Sequence, residues 1–147
     1  MSSKDETRII IEERIDKIRE ASKELLKYQE RSKEKFLNNT QLQYASMFAM
    51  ILAIEAICDI GSHILAKYYL VKCEHYEDII KNLGEYDVIP KELSGKSKEM
   101  ADFRNFLIHL YMKIDPKKVY NNLQKAPEEF TKFAKYFVKF LEKTKNN

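Results

Sequence analysis

With 147 residues, a formal net charge of +3, 44% apolar and 33% charged residues, and only three Gly and three Pro, the chain is excluded from the collagen-like, Gly/Pro-rich and disordered classes. A chain of this length buries roughly 70% of its unfolded surface and folds without staples, so one domain over residues 1–147 is expected. The most apolar stretch, Tyr44 to Ile60, is cut by Ser46, Glu55 and Asp59, which predicts no membrane span. The first six residues, Met-Ser-Ser-Lys-Asp-Glu, lack the apolar run of a signal peptide, and Cys58 and Cys73 match neither a disulfide framework nor a zinc pattern; a cytoplasmic protein with reduced thiols is expected.

Apolar residues recur at helical spacing and no stretch alternates with the period of a half-buried strand, so the chain reads as all-α. Ile11, Ile15, Ile18, Ser22 and Leu25 step by four and three along a predicted first helix of roughly Lys4 to Phe36. Asn38, Asn39 and Thr40 are candidate caps for a second helix running to about Leu70, apolar on nearly every side in its first half and therefore the most buried. A shorter helix around His75 to Leu83 is followed by Gly84, and Pro90 suits the first turn of another short helix that Gly95 breaks. Met100, Phe103, Leu107 and Leu110 carry the next helix, which stops before Asp115-Pro116. Asp115 then caps a helix with Pro116 at its first position, and Ala126-Pro127 separates it from a last helix through about Lys143. The expected architecture is a bundle of four main helices with one or two short extra ones, without an internal repeat.

Charge is distributed unevenly. From Pro116 onward there are eight Lys against three Glu, and Lys132, Lys135, Lys139 and Lys143 form one ridge on a helix whose other side carries Phe130, Phe133, Phe137 and Phe140. Such a ridge reads either as a solvated face or as a phosphate-attracting one.

Gly-rich phosphate loops, His-Glu-x-x-His and Cys-x-x-Cys are all missing from the sequence. Of the three histidines, His75 sits beside Glu74 and Glu77 on a polar segment and reads as an exposed residue. Glu55, Asp59 and His63, spaced by four and four, align on one face of the second helix. That line could ligate a divalent cation, but no matching Glu-x-x-His on another helix completes a site, so no metal is expected there. It reads better as a polar edge near a functional surface.

His109 stands in Asp102-Phe103-Arg104-Asn105-Phe106-Leu107-Ile108-His109-Leu110-Tyr111. On a helix Asn105 and His109 share a face, Arg104 and Tyr111 share another, and Arg104 and His109 lie about 140° apart around the axis. One helix does not easily aim both at one atom, whereas a homodimer with its two-fold axis beside this helix brings arginine and histidine together from different chains. The plain alternative is an Arg paired with Asp102 or Glu99 and a His capping the last turn.

The run Phe-Arg-Asn-x-Leu-x-His-x-Tyr-x-x-Ile-Asp, with Arg104, His109 and Tyr111 as its Arg-x4-His-x-Tyr centre, resembles the HepT-like branch of the HEPN superfamily. The resemblance extends upstream to Ala53-Ile54-Glu55-Ala56-Ile57-Cys58-Asp59-Ile60-Gly61-Ser62-His63-Ile64 and covers roughly Phe36 to Leu123. It implies a helical, homodimeric toxin of a prokaryotic toxin–antitoxin pair, a metal-independent endoribonuclease without a cofactor whose site lies in a cleft between protomers. It further implies that Arg104 and His109 are catalytic, that Asn105 is the polar residue supporting them, and that Tyr111 is adenylylated by an MntA-like nucleotidyltransferase antitoxin. Because folds host several activities, a non-catalytic HEPN adaptor that binds a nucleotide or protein stands as the alternative.

Overall fold

The computed structural model describes residues 3–109 and 115–145. Those residues form eight helices: α1 (Ser3–Gln29), α2 (Lys33–Leu37), α3 (Thr40–Tyr69), α4 (Tyr76–Glu85), α5 (Lys91–Ser94), α6 (Ser97–Ile108), α7 (Pro116–Leu123) and α8 (Ala126–Lys143). The all-helical expectation holds, with more short helices than the sequence suggested. The expected first helix is divided: α1 ends at Gln29, and the Ser32 side chain accepts a hydrogen bond from the Lys35 backbone N–H to start α2. A serine cap competes here with continued propagation through a run of charged residues that buries little on either side.

Asn39 opens α3 by accepting from the Leu42 N–H at 2.9 Å, and the Gln43 amide donates to the carbonyls of Phe36 and Leu37, tying α2 to it. The helix is long and apolar enough, by length and composition, to cross a membrane. In this fold it is the central helix, packed against α1, α2, α4, α6, α7 and α8. Met50, Ile54, Ile57, Ile60, Ile64 and Leu65 are all fully buried along it. The row Ile11, Ile15, Ile18, Ser22 and Leu25 of α1 is buried as its spacing required. Asp115 caps α7 by accepting from the Lys117 and Lys118 N–H groups, with Pro116 next to it. Phe130, Phe133, Phe137 and Phe140 turn inward from α8, leaving the lysines outside.

Gly61 fixes how closely α4 approaches α3. A Cβ there would lie 2.6 Å from Ile79 Cγ2 and 3.0 Å from Leu83 Cδ1, two buried side chains that hold α4 against the core. Gly61→Val should therefore cost about 2 kcal/mol by overpacking, a fall of roughly 4–8 °C in Tm for a domain this size, read by thermal denaturation. A variant that melts with the parent would mean that α4 can move away freely.

Candidate functional site

Arg104 lies in the second half of α6, where Met100 and Leu107 bury one side of the helix and leave the guanidinium pointing across to α3. Its Nε donates to Glu55 Oε1 at 2.8 Å. The partner is thus neither Asp102 nor Glu99, as local spacing suggested, but a residue 49 positions away on the central helix. Beneath the guanidinium lies the ring of Tyr76, 5.3 Å from Arg104 Cζ to the ring centroid. The Tyr76 hydroxyl is buried and has no hydrogen-bond partner among the described residues; burial pushes its pKa well up, with the neighbouring Cys58 adding to the rise and Arg104 opposing it. Glu55 occupies one N–H of the guanidinium and the ring lies against its face, which among the described residues leaves the donors of both terminal amino groups for an anion.

The polar line on α3 is tied to its neighbours. Asp59 Oδ2 accepts from Arg14 Nε of α1 at 2.7 Å, and His63 Nε2 lies 3.7 Å from Asp59 Oδ1. Glu55 and Asp59 therefore each face an arginine, and these carboxylates act as fixed counter-charges along the α1/α3 edge. Among the described residues no group of three or more His, Cys, Asp or Glu is placed to hold a metal ion. An open cleft of about 480 Å³ runs beside this line, walled by Arg14, Lys17, Leu52, Glu55, Asp59 and Ser62. Cys58 borders the same cleft, but burial pushes its thiol up to about 12, with Glu55 adding to the shift, so it is a protonated thiol at neutral pH and a poor nucleophile.

Asn105 is exposed on α6. His109 is the exposed C-cap residue of that helix, its backbone N–H bonded to the Asn105 carbonyl at 3.0 Å. His109 thus stands at the end of the last turn, where the plain reading put it. Five residues of helix separate Arg104 from His109 by about 7.5 Å along the axis as well as about 140° around it. Tyr111 and Leu110, the last of the predicted core positions on this helix, lie outside the described residues. Tyr76 and Arg14 are the two contributors that the sequence did not single out; Tyr76 opens α4 and Arg14 sits among alternating charges on α1, and neither position carries a local signal for its long-range contact.

The model of the Ribonuclease HepT-like family matches residues 11–137, which takes in both arginine-bearing helices and the whole of α3. A tRNA nuclease HepT of Aphanizomenon flos-aquae (strain 2012/KM1/D3) is 26% identical over 133 residues, 90% of each chain. The tri-AMPylated HEPN toxin of Shewanella oneidensis, solved in complex with an MNT antitoxin, superposes with a TM-score of 0.79 at 23% identity, over 95% of this chain and 99% of that one. The cytosolic protein of unknown function YutE from Bacillus subtilis superposes with a TM-score of 0.77 at 21% identity, over 92% and 91%. These structures share the helical fold, and the family match across α1 to α8 adds the sequence pattern on which the Arg104–His109 segment stands: the chain belongs to the HepT-like ribonuclease family.

Proposed function

We propose that this protein is the ribonuclease toxin of a toxin–antitoxin pair, a cytoplasmic homodimer that cleaves RNA, tRNA being the leading substrate, at a composite site of Arg104 from one protomer and His109 from its partner. The observation that carries the reading is Arg104, an arginine fixed by Tyr76 and by Glu55 of the cleft wall, with its terminal amino groups unclaimed among the described residues, in a segment that also supplies an exposed histidine and asparagine. RNA brings its own nucleophile. A histidine removes the 2′-hydroxyl proton, the 2′-oxygen attacks phosphorus, and the bond from phosphorus to the 5′-oxygen breaks as that oxygen takes a proton. The products are a 2′,3′-cyclic phosphate and a free 5′-hydroxyl. Histidine titrates near neutrality, so the imidazole that takes the 2′-hydroxyl proton as base can hand a proton to the leaving oxygen as acid. The Arg104 fork binds the non-bridging oxygens and stabilises the charge that builds on them. Asn105 supports the same phosphate. No step requires a metal ion.

The homodimer is supported by the surface of α3. Tyr44, Phe48 and Leu52 are spaced by four, and are 54%, 63% and 40% exposed. This apolar stripe leads directly into Glu55, so a second copy covering it comes to rest beside Arg104. One observation favours the non-catalytic adaptor: Glu55 already neutralises Arg104 at rest. The two readings separate in a cleavage assay with purified protein and bulk tRNA, where the ribonuclease yields fragments ending in cyclic phosphate and the adaptor yields none.

Regulation follows from Tyr111, two residues beyond His109, and from the AMPylated, antitoxin-bound state of the Shewanella relative. AMP on the Tyr111 hydroxyl would set a phosphodiester anion beside Arg104, competing with the substrate phosphate by charge and by bulk. Tyr111→Phe should keep its ribonuclease activity yet resist neutralisation by a nucleotidyltransferase antitoxin. Intact-mass analysis after co-expression should show AMP additions on the parent; neutralisation with Tyr111 unmodified would exclude this route.

A further inference from the structure

Two cavities flank Tyr136 on the outer face of α8. One, of about 140 Å³, is lined by Pro90, Glu92, Leu93, Lys96, Lys132 and Lys135. The other, of about 380 Å³, lies between Tyr69, Tyr86, Asp87, Lys139 and Lys143. Five lysines and two carboxylates thus line a partly exposed aromatic strip, with Lys132 also paired to Glu128 at 3.8 Å. The ammonium groups of Lys135 and Lys139 both lie over the Tyr136 ring, at 5.7 and 5.4 Å from its centroid. Among the described residues neither has a carboxylate within ion-pair distance, whereas Lys17 and Lys27 of α1 pair with Glu20 and Glu24. Converging like charges without a counter-ion is unfavourable in the free protein and favourable once an anion sits between them. Tyr86 is 39% exposed and packs against Tyr69 with its ring tilted by 38°, the centroids 4.7 Å apart. The larger cavity is within the roughly 300–1,000 Å³ usual for small-ligand clefts. Asp87, which lines it, holds a positive φ of 59°, a backbone conformation that costs energy in a side-chain-bearing residue.

We infer that this strip is a second RNA-binding surface, on which the backbone phosphates of single-stranded RNA track along Lys135, Lys139 and Lys143 and a base stacks in the cleft walled by Tyr86 and Tyr136. Lysines interleaved with accessible aromatic rings are the combination that single-stranded nucleic acid binders use, with stacking on the rings and charge on the backbone. Tyr69 is fourteen residues beyond Glu55 on α3, about 21 Å along the helix, so the surface engages substrate away from the scissile phosphate. It therefore governs affinity for long RNA and leaves the chemical step untouched. This inference rests on the ribonuclease reading for its ligand.

The test uses the full chain in two backgrounds. In the active protein, Lys135→Gln/Lys139→Gln/Lys143→Gln should raise KM for bulk tRNA by about tenfold with kcat unchanged, and leave a hexanucleotide substrate unaffected. In an Arg104→Ala/His109→Ala background, the same three changes should weaken binding of fluorescently labelled tRNA by a similar factor and lower the slope of log Kd against log salt by about 2–3, and Tyr86→Ala should weaken it further without changing that slope. Unchanged tRNA binding with an intact thermal melt would overturn the inference. Loss of an acidic protein partner with tRNA binding unchanged would overturn it too, and give the surface to that partner. If the parent cleaves no RNA yet binds tRNA through these lysines, the nuclease reading fails while this surface stands.

Discussion

Arg104→Ala and His109→Ala should each lower RNA cleavage by at least a factor of about 10² to 10⁴, the usual range for removing a charge-stabilising donor or a general acid–base group. The fold should survive both. The Arg104 side chain is 28% exposed and that of its Glu55 partner 48%, so the ion pair is partly solvated and contributes no more than about 1 kcal/mol to stability. His109 is exposed beyond the end of α6. Thermal melts of the two variants should therefore stay within a few degrees of the parent while product formation on a gel disappears. EDTA should change neither rate nor product. Cleavage that stops with EDTA and continues in His109→Ala would move the chemistry to the Glu55, Asp59 and His63 line.

Phe48→Asp should convert the proposed dimer to monomer and remove cleavage with it. Phe48 is the most exposed member of the Tyr44, Phe48, Leu52 stripe, and a two-fold interface carries every change twice, so one substitution introduces two carboxylates into an apolar contact. The monomer itself should fold normally, because the Phe48 side chain is mostly exposed and lies outside the core cluster of the described residues. Light scattering reads the first outcome and a tRNA cleavage assay the second. A monomer with full activity would show that each chain carries a complete site.

Much of this was legible in the sequence because the helices bury regular rows: Ile11, Ile15, Ile18 and Leu25 on α1, and Phe130, Phe133, Phe137 and Phe140 on α8, are inside as their spacing demands. Caps at Asn39 and Asp115 were equally readable, since a short polar side chain before an apolar run satisfies open N–H groups. The break after Gln29 was not, because no Gly or Pro marks it and Ser32 lies among charges that suit either a helix or its end. At the site, the Arg-x4-His segment stood out by composition, but the partner of Arg104 did not. Spacing can only nominate neighbours on the same helix, whereas the fold brings Glu55 and Tyr76 to the guanidinium from two other helices. The aromatic floor under Arg104 and the Arg14–Asp59 pair belong to that same class of contact, visible only once α1, α3, α4 and α6 are packed together.

The composite site is tested most directly by a mixed dimer. Arg104→Ala and His109→Ala chains carrying different tags are co-expressed, the heterodimer is purified by both tags, and its cleavage of bulk tRNA is compared with that of each inactive homodimer. If arginine and histidine meet across the two-fold axis, one of the two sites in the heterodimer regains both intact groups, and cleavage should return to about half the parental rate. If each site draws both residues from one chain, every site in the heterodimer lacks a group, and the absence of cleavage would contradict a site shared between protomers.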